Sequence, residues 1–133
     1  MPQADCLPEL ALIITRQDLV RYAGAANDYL PQHWDQAMMQ GQGFADVVVH
    51  GWLGCAHLLR AATLHFTPGA WDMTEYSVRY RQPLSPGPIV CGGTIMAIDA
   101  QRSTVDGWIK DASGAVVTTA EMTFVRRSGP DAI

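Results

Sequence analysis

The stretch that decides the fold is Gly51-Trp-Leu-Gly-Cys-Ala-His-Leu-Leu-Arg-Ala-Ala-Thr-Leu-His-Phe66. When this stretch is read as a helix, its apolar residues fall on nearly every side. A helix that is apolar all round is normally buried. We therefore expect residues 51–66 to form a central helix that is covered on all sides by the rest of this short chain.

The residues after this helix have the alternating pattern of β-strands. Four segments show it: 73–82, 88–98, 103–110 and 115–126. Proline and glycine in segment 83–88 and Asp111-Ala-Ser-Gly114 supply turns between them. A further short strand is expected at 9–14. An antiparallel sheet of these strands, curled round one buried helix, is an α+β arrangement that matches the architecture known as the hot-dog fold.

The residues before the central helix predict a second helix. Thr15-Arg-Gln-Asp18 has the form of a capping box, in which each end residue bonds the backbone N–H of the other. Pro31 should end this helix, because proline lacks the amide hydrogen and restricts the residue before it. The apolar run 47–49 is read as strand-like. The residues expected on the buried face of the helix are Leu19, Val20, Tyr22 and Ala23.

Composition excludes several classes of protein. The chain has 133 residues, of which 48% are hydrophobic and 17% charged, with a net charge of −4. This is typical of one globular domain, 1–133, and the acidic balance argues against nucleic-acid binding. No signal peptide or membrane-spanning stretch is evident, so no membrane partner is expected. Three widely spaced cysteines predict reduced thiols and a cytoplasmic protein, without a disulfide framework or zinc site.

A candidate site lies between the two predicted helices. Asp28 and His33 stand on either side of Pro31, so a sharp turn there would bring a carboxylate and an imidazole together. Such a pair can hold and deprotonate a water molecule. Gly51 opens the central helix, where an unpaired backbone N–H and the helix dipole can polarise a carbonyl oxygen. Taken singly, Asp28 could instead cap a turn, His33 could be a surface histidine, and Gly51 could serve close packing.

These residues carry a family resemblance. Tyr22-Ala-Gly-Ala-Ala-Asn-Asp-Tyr-Leu-Pro-Gln-His33 resembles the signature (F/Y)-A-G-x-x-x-D-x-N-P-x-H of MaoC-like (R)-specific enoyl-CoA hydratases. Val49-His50-Gly51 is similar to the V/A-H-G element that opens that family's central helix. The segment YSVRYRQPLSPG, 76–87, is similar to a strand-and-turn element of the same family. Leu30 departs from the signature, which usually has Asn there.

The resemblance implies a function as well as a fold. It implies reversible hydration of a trans-2-enoyl thioester to the (R)-3-hydroxyacyl thioester, with Asp28 and His33 as the catalytic dyad and Gly51 N–H on the thioester oxygen. Asn27, Pro31 and His50 are expected in supporting roles, His50 because it precedes the central helix and can orient the loop through a backbone hydrogen bond. No metal or other cofactor is implied, and the spacing of His33, Asp35 and His50 does not favour zinc. CoA is the expected carrier, with acyl-carrier protein as the alternative.

The resemblance also implies a dimer, because a lone unit leaves one sheet edge open. The partner would be a second copy or another MaoC-like chain, with the acyl group near the interface. Two alternatives to an autonomous hydratase remain open at this point. One is an acyl thioesterase of the same fold. The other is the catalytic subunit of a heteromeric hydratase for bulky, steroid-like acyl-CoA that is inactive alone.

Overall fold

The computed structural model describes residues 5–128, which form a six-stranded antiparallel sheet and three α-helices. The strands are ordered β1-β4-β5-β6-β3, and β2 lies beside β4. No helix within this range is both long and apolar enough to cross a bilayer. The elements are β1 (Asp5–Cys6), β2 (Leu10–Ile14), α1 (Arg16–Ala26), α2 (Gln36–Gly41), α3 (Gly51–Thr63), β3 (Trp71–Tyr80), β4 (Gly87–Ala97), β5 (Arg102–Lys110) and β6 (Val116–Arg126).

The sheet curves round α3, as the sequence predicts. Leu58 is 0% exposed and lies close to Gly107 of β5, where an added Cβ would come within 3.2 Å of the leucine methyl groups. After the helix, the Phe66 ring stacks on Phe124 of β6 with centroids 4.2 Å apart. Apolar burial between α3 and the strands is therefore the main source of stability. The predicted α+β arrangement is confirmed, with strand limits within two residues of the expected ones.

The expectation that α3 is buried on all sides is wrong. Trp52 is 63% exposed, Ala56 is exposed, and the helix ends at Thr63 instead of Phe66. One curved sheet covers only one side of a helix, so the apolar residues of the opposite side stay accessible. Trp52 lines a cavity, described below. The apolar residues of α3 therefore serve two purposes. One face of the helix packs in the core, and part of another face borders the cavity.

Helix α1 begins as predicted. Asp18 N donates to Thr15 Oγ1 at 3.2 Å and Thr15 N donates to Asp18 Oδ2 at 2.8 Å, which completes the capping box. The apolar face is narrower than expected, because Val20 is 67% exposed whereas Leu19 and Ala23 are buried.

The predicted end of α1 is wrong. The helix stops at Ala26 because Asn27 takes a left-handed conformation, with φ of 53°. Asparagine tolerates this conformation better than most residues and commonly ends helices in this way. Pro31 lies further on, where it begins a 3-10 turn, Pro31–His33. The predicted chain reversal is present, but Asn27 produces it.

The segment between α1 and α3 differs most from expectation. Residues 47–49 are extended but do not join the sheet: Val48 N donates to Gln32 O, and Val49 N donates to Leu84 O. The sequence also gave no indication of α2, which Asp35 caps by accepting from Met38 N at 3.0 Å. The extent of the domain, 1–133, stays a prediction, because residues 1–4 and 129–133 lie outside the described part.

Candidate active site

The structure brings Asp28 and His33 together. Asp28 follows the end of α1, where its N–H donates to Ala23 O at 3.0 Å. His33 ends the 3-10 turn, and its N–H donates to Leu30 O at 3.0 Å. Asp28 Oδ2 lies 3.6 Å from His33 Nε2. The two side chains therefore face each other across a short gap that is longer than a direct hydrogen bond.

Hydrogen bonding fixes the orientation of the His33 ring. His33 Nδ1 lies 2.6 Å from Val48 O, and a carbonyl oxygen can only accept, so Nδ1 carries the hydrogen. In the neutral ring Nε2 is then an acceptor, and the Gln32 side-chain N–H donates to it over a long 3.5 Å. The ring is 6% exposed, whereas the Asp28 side chain is 37% exposed. The pair thus combines an enclosed imidazole with a carboxylate open to the cavity.

His50 packs against this pair. Its ring stacks on His33 with centroids 3.7 Å apart and planes 19° apart, and it contacts Tyr22 at 4.8 Å. His50 Nε2 lies 3.2 Å from the backbone oxygen of Asp28, and the side chain is 2% exposed. Burial lowers the pKa of His50 below its ordinary value. The residue therefore contacts both members of the dyad, by stacking on one and bonding the other.

Gly51 opens α3 beside these residues. Its N–H stands at the first position of the helix, where a backbone amide has no acceptor within the helix. The Tyr80 ring lies against it so closely that an added Cβ would stand 2.6 Å from the ring carbons. Burial raises the pKa of Tyr80 to about 12, and its hydroxyl lies 3.7 Å from Cys55 Sγ. Glycine is therefore required here for space, and it lines the same cavity as the dyad.

The dyad, His50 and Gly51 line one cavity of about 750 Å³. Much of the cavity wall has no signal in the sequence, since neither α2 nor the position of Tyr80 beside Gly51 is indicated by a local pattern. The motif YSVRYRQPLSPG did point to the strand end that carries Tyr80, but not to the side-chain contact with Gly51. The apolar and aromatic residues of the lining include Leu30, Met38, Met39, Phe44, Val48, Trp52, Tyr80 and Leu84.

Leu30, the departure from the signature, does not disrupt the turn. Its side chain is 56% exposed and lines the cavity, while its N–H lies 3.4 Å from Asp28 Oδ1. Backbone contacts hold the turn instead: Asp35 N donates to Pro31 O at 2.7 Å, and the Trp34 indole donates to Tyr29 O at 2.9 Å. The arrangement of Asp28 and His33 therefore forms without an asparagine side chain.

Ligand atoms of Asp28, His33 and His50 lie within 4.8 Å of one another, a grouping that the sequence spacing did not suggest. The geometry of the rings argues against a zinc ion. A metal bound to an imidazole lies near the ring plane, about 2.0 Å from the nitrogen. Two stacked rings with centroids 3.7 Å apart cannot both place their planes through one such ion. Asp35, the other acidic residue considered, caps α2.

Comparisons with known proteins agree with this description. The chain is 31% identical over 97 residues to a mitochondrial 3-hydroxyacyl-[acyl-carrier-protein] dehydratase of Arabidopsis thaliana, covering 73% of this chain but 56% of that relative. Its fold is similar to an (R)-hydratase from A. caviae involved in PHA biosynthesis, with a TM-score of 0.85, 17% identity, and 96% and 98% of the two chains covered.

A second similar fold is in the ChsH1-ChsH2 complex from Mycobacterium tuberculosis, with a TM-score of 0.82, 22% identity, and 93% and 97% of the two chains covered. These two likenesses establish the hot-dog fold. The sequence model of the MaoC-like domain matches residues 1–92, which include Asp28, His33 and Gly51. The chain therefore belongs to the MaoC-like dehydratase family.

Proposed function

We propose that this protein is a hydro-lyase that reversibly hydrates a trans-2-enoyl thioester to the (R)-3-hydroxyacyl thioester. The observation that carries the proposal is the 3.6 Å approach of Asp28 Oδ2 to His33 Nε2 inside an apolar cavity, next to the start of α3. Membership of the MaoC-like family and the likeness to a 3-hydroxyacyl dehydratase support the same reaction class. An apolar wall beside a polar dyad suits an acyl chain that ends in a reactive thioester.

The dyad has the equipment for water addition. Asp28 Oδ2 and the His33 Nε2 lone pair both accept hydrogen bonds, so one water can donate a hydrogen to each. The water oxygen then attacks C3, one of the two groups takes its proton, and the π electrons move towards C2 and the thioester oxygen. A proton delivered to C2 on the same face completes the addition. The net change is one water added, so the reaction needs no oxidant, reductant or cofactor.

The start of α3 suits the other half of the chemistry. Negative charge develops on the thioester oxygen as C3 is attacked, and Gly51 N–H together with the helix dipole would stabilise it there. Asn27 and Pro31 would support the dyad by shaping its turn, since Asn27 ends α1 and Pro31 begins the 3-10 turn. His50 would support the dyad by stacking on the His33 ring.

The carrier and the partner belong to the proposal as well. CoA is the proposed carrier, and acyl-carrier protein is the alternative that the Arabidopsis relative favours. Among residues 5–128, β3 pairs with β6 alone, so its other edge is available to a second chain. A homodimer or a pair with another MaoC-like chain would cover that edge, and the similar fold in the ChsH1-ChsH2 complex makes the mixed pair a specific candidate. The proposed compartment is the cytoplasm.

The rival thioesterase reading is disfavoured by the composition of α3. A hot-dog thioesterase needs a carboxylate against the central helix to activate water or attack the thioester. Gly51–Thr63 contains no Asp or Glu, and the one carboxylate that the described residues contribute to the cavity lining, Asp28, lies on the turn after α1 beside His33.

The test is the loss of enoyl absorbance on hydration of short, long and steroid-type trans-2-enoyl-CoAs. Asp28→Asn and His33→Ala should each lower kcat/KM by 10² to 10⁴-fold, the usual contribution of one acid–base group. Asp106→Asn and His65→Ala are matched controls, because both residues are exposed and lie outside the cavity. Chiral analysis of the product should give the (R) isomer.

Two results would overturn parts of this proposal. Full activity in either dyad variant would show that the substituted residue takes no part in catalysis. Absence of turnover by folded wild type, alone and after co-expression with a MaoC-like partner chain, would reject the hydratase. Activity that requires the partner would instead establish the heteromeric form.

A further inference from the structure

His50 is the most enclosed ionisable side chain in the candidate site, at 2% exposure. It touches both members of the dyad, yet it has no place in the proton transfers described above. We propose that His50 is a positioning residue: a neutral imidazole that supports the His33 ring by stacking and holds Asp28 through its backbone oxygen. This inference rests on the proposed hydratase function, and it assigns His50 one tautomer and one charge state.

The first step is the tautomer. His50 Nε2 lies 3.2 Å from Asp28 O, and a carbonyl oxygen only accepts, so the ring donates there and Nε2 carries the hydrogen. A neutral imidazole has one N–H, which leaves Nδ1 as a bare lone pair. Nδ1 is buried and has no hydrogen-bond partner among the atoms of residues 5–128. A second proton on Nδ1 would thus create a buried N–H without an acceptor.

The surroundings of the ring also disfavour charge. The titratable groups that face His50 are the Asp28 carboxylate, the His33 imidazole and the Tyr22 phenol. Burial is the largest effect on the pKa of His50 and lowers it, and His33 lowers it further. The bond to Asp28 O and the Asp28 charge act in the opposite direction but are smaller. A neutral His50 leaves the stacked pair free to hold a proton on His33 without repulsion between two cations.

The contacts of His50 and His33 also fix the positions of the dyad side chains. His33 cannot tilt towards His50, because the two rings are in contact at 3.7 Å with nearly parallel planes. Its Nδ1 is held by Val48 O, so its Nε2 is left pointing at Asp28. His50 itself is the N-cap residue of α3, and Val49 N before it donates to Leu84 O. His50 therefore connects the start of α3 to the turn that carries the dyad, which contains only the short 3-10 turn Pro31–His33 as regular structure.

The first test uses wild-type protein and needs no turnover. Long-range ¹H–¹⁵N spectra of histidine-labelled protein report the tautomer and charge of each ring, and loss of signals in His50→Gln assigns them. We expect the neutral ring of His50 to be the Nε2–H tautomer and its midpoint to lie below the value of about 6.5 for a free histidine. The Nδ1–H tautomer, or a midpoint close to 6.5, would overturn the inference.

The second test separates the two contacts. His50→Phe keeps an aromatic ring against His33 but lacks the donor to Asp28 O, whereas His50→Gln keeps an N–H donor but lacks the ring. Each should lower kcat at least tenfold with KM changed less than threefold, because a displacement of about 1 Å in a catalytic group reduces rate without removing the acyl contacts. His57→Gln on the same helix is the control, since His57 does not line the cavity.

The outcomes distinguish this inference from the proposed function. If both variants retain kcat within twofold, His50 does not position the dyad, and the hydratase proposal still stands. If the wild type shows no hydratase activity, the spectra still decide the tautomer of His50. In that case His50→Phe must also change the His33 nitrogen shifts for the inference to survive. A variant that fails to fold leaves the wild-type spectra as the deciding measurement.

Discussion

The sheet-and-α3 core and the segment 27–50 are held together in different ways. In the core, Leu58, Val105, Ile109 and Val117 are all 0% exposed, and the strands that carry three of them are paired along most of their length. Segment 27–50 has only one 3-10 turn and the six-residue α2 as regular structure. Val47 and Val49 anchor its end in the core, and the residues of the dyad turn are held by single hydrogen bonds to backbone oxygens, such as His33 to Val48 and His50 to Asp28.

This difference assigns stability and chemistry to separate parts of the molecule. Apolar burial is proportional to area and has no direction, so it stabilises the core without placing any one atom accurately. Hydrogen bonds contribute about 1 kcal/mol each but set distances and angles, which is what the dyad needs. Substitutions in the core should therefore change folding, and those in segment 27–50 should change turnover.

The largest effect on stability is expected at Leu58. Leu58→Ala removes a side chain that is 0% exposed and leaves a cavity beneath β5, which should lower the free energy of unfolding by about 2–5 kcal/mol. Chemical denaturation measures this loss, and kcat per folded molecule should stay unchanged. Leu64→Ala is the control, because that side chain is 57% exposed and should shift stability little. A large fall in kcat in folded Leu58→Ala would contradict the separation of the two regions.

A substitution of Gly51 tests the boundary between the sheet-and-α3 core and segment 27–50. A methyl group there would stand 2.6 Å from the Tyr80 ring and next to the amide proposed for the thioester oxygen. Gly51→Ala should lower kcat/KM by about 10²-fold, comparable to loss of one oxyanion donor. Gly41→Ala is the matched control, with no atom within 4 Å of its added Cβ.

Adding Tyr80→Ala to Gly51→Ala makes room for the methyl group and so separates the two causes. We expect the double variant to regain thermal stability but not activity, because the methyl still obstructs the amide. Recovery of full activity would show that displacement of Tyr80 had caused the loss.

The smallest effect concerns pH and His57, on α3. Burial lowers the pKa of His57 below its ordinary value, as it does for His50. Both histidines are mostly neutral in the folded and unfolded chain above about pH 7.5, one unit above the ordinary pKa of about 6.5. As the pH falls below this, the unfolded chain binds protons first, so the free energy of unfolding decreases. His57→Gln should therefore show a smaller loss of stability between pH 7.5 and 5.5 in denaturation experiments. An unchanged loss would assign the pH dependence to other groups.

Local sequence signals predicted much of this structure. The capping box at Thr15 needs only residues three apart, and the alternation in β6 needs only neighbours, so both could be recognised in the chain itself. The closeness of Asp28 and His33 was also within reach, because a reversal beside Pro31 brings near neighbours together. The role of Asn27 in this reversal could not be predicted from the sequence, because its left-handed conformation depends on how the following residues pack.

What the sequence determined by itself was the helix–sheet pattern and the family signature, because both are encoded by residues close together in the chain. Tertiary structure alone decided that α3 has an accessible side, that His33 bonds Val48 O from 15 residues away, and that His50 bonds Asp28 O from 22 residues away. Contacts over such separations depend on where the sheet and α3 place each segment. Short-range spacing carries no record of that placement, so the supporting contacts of the dyad are visible only in the folded chain.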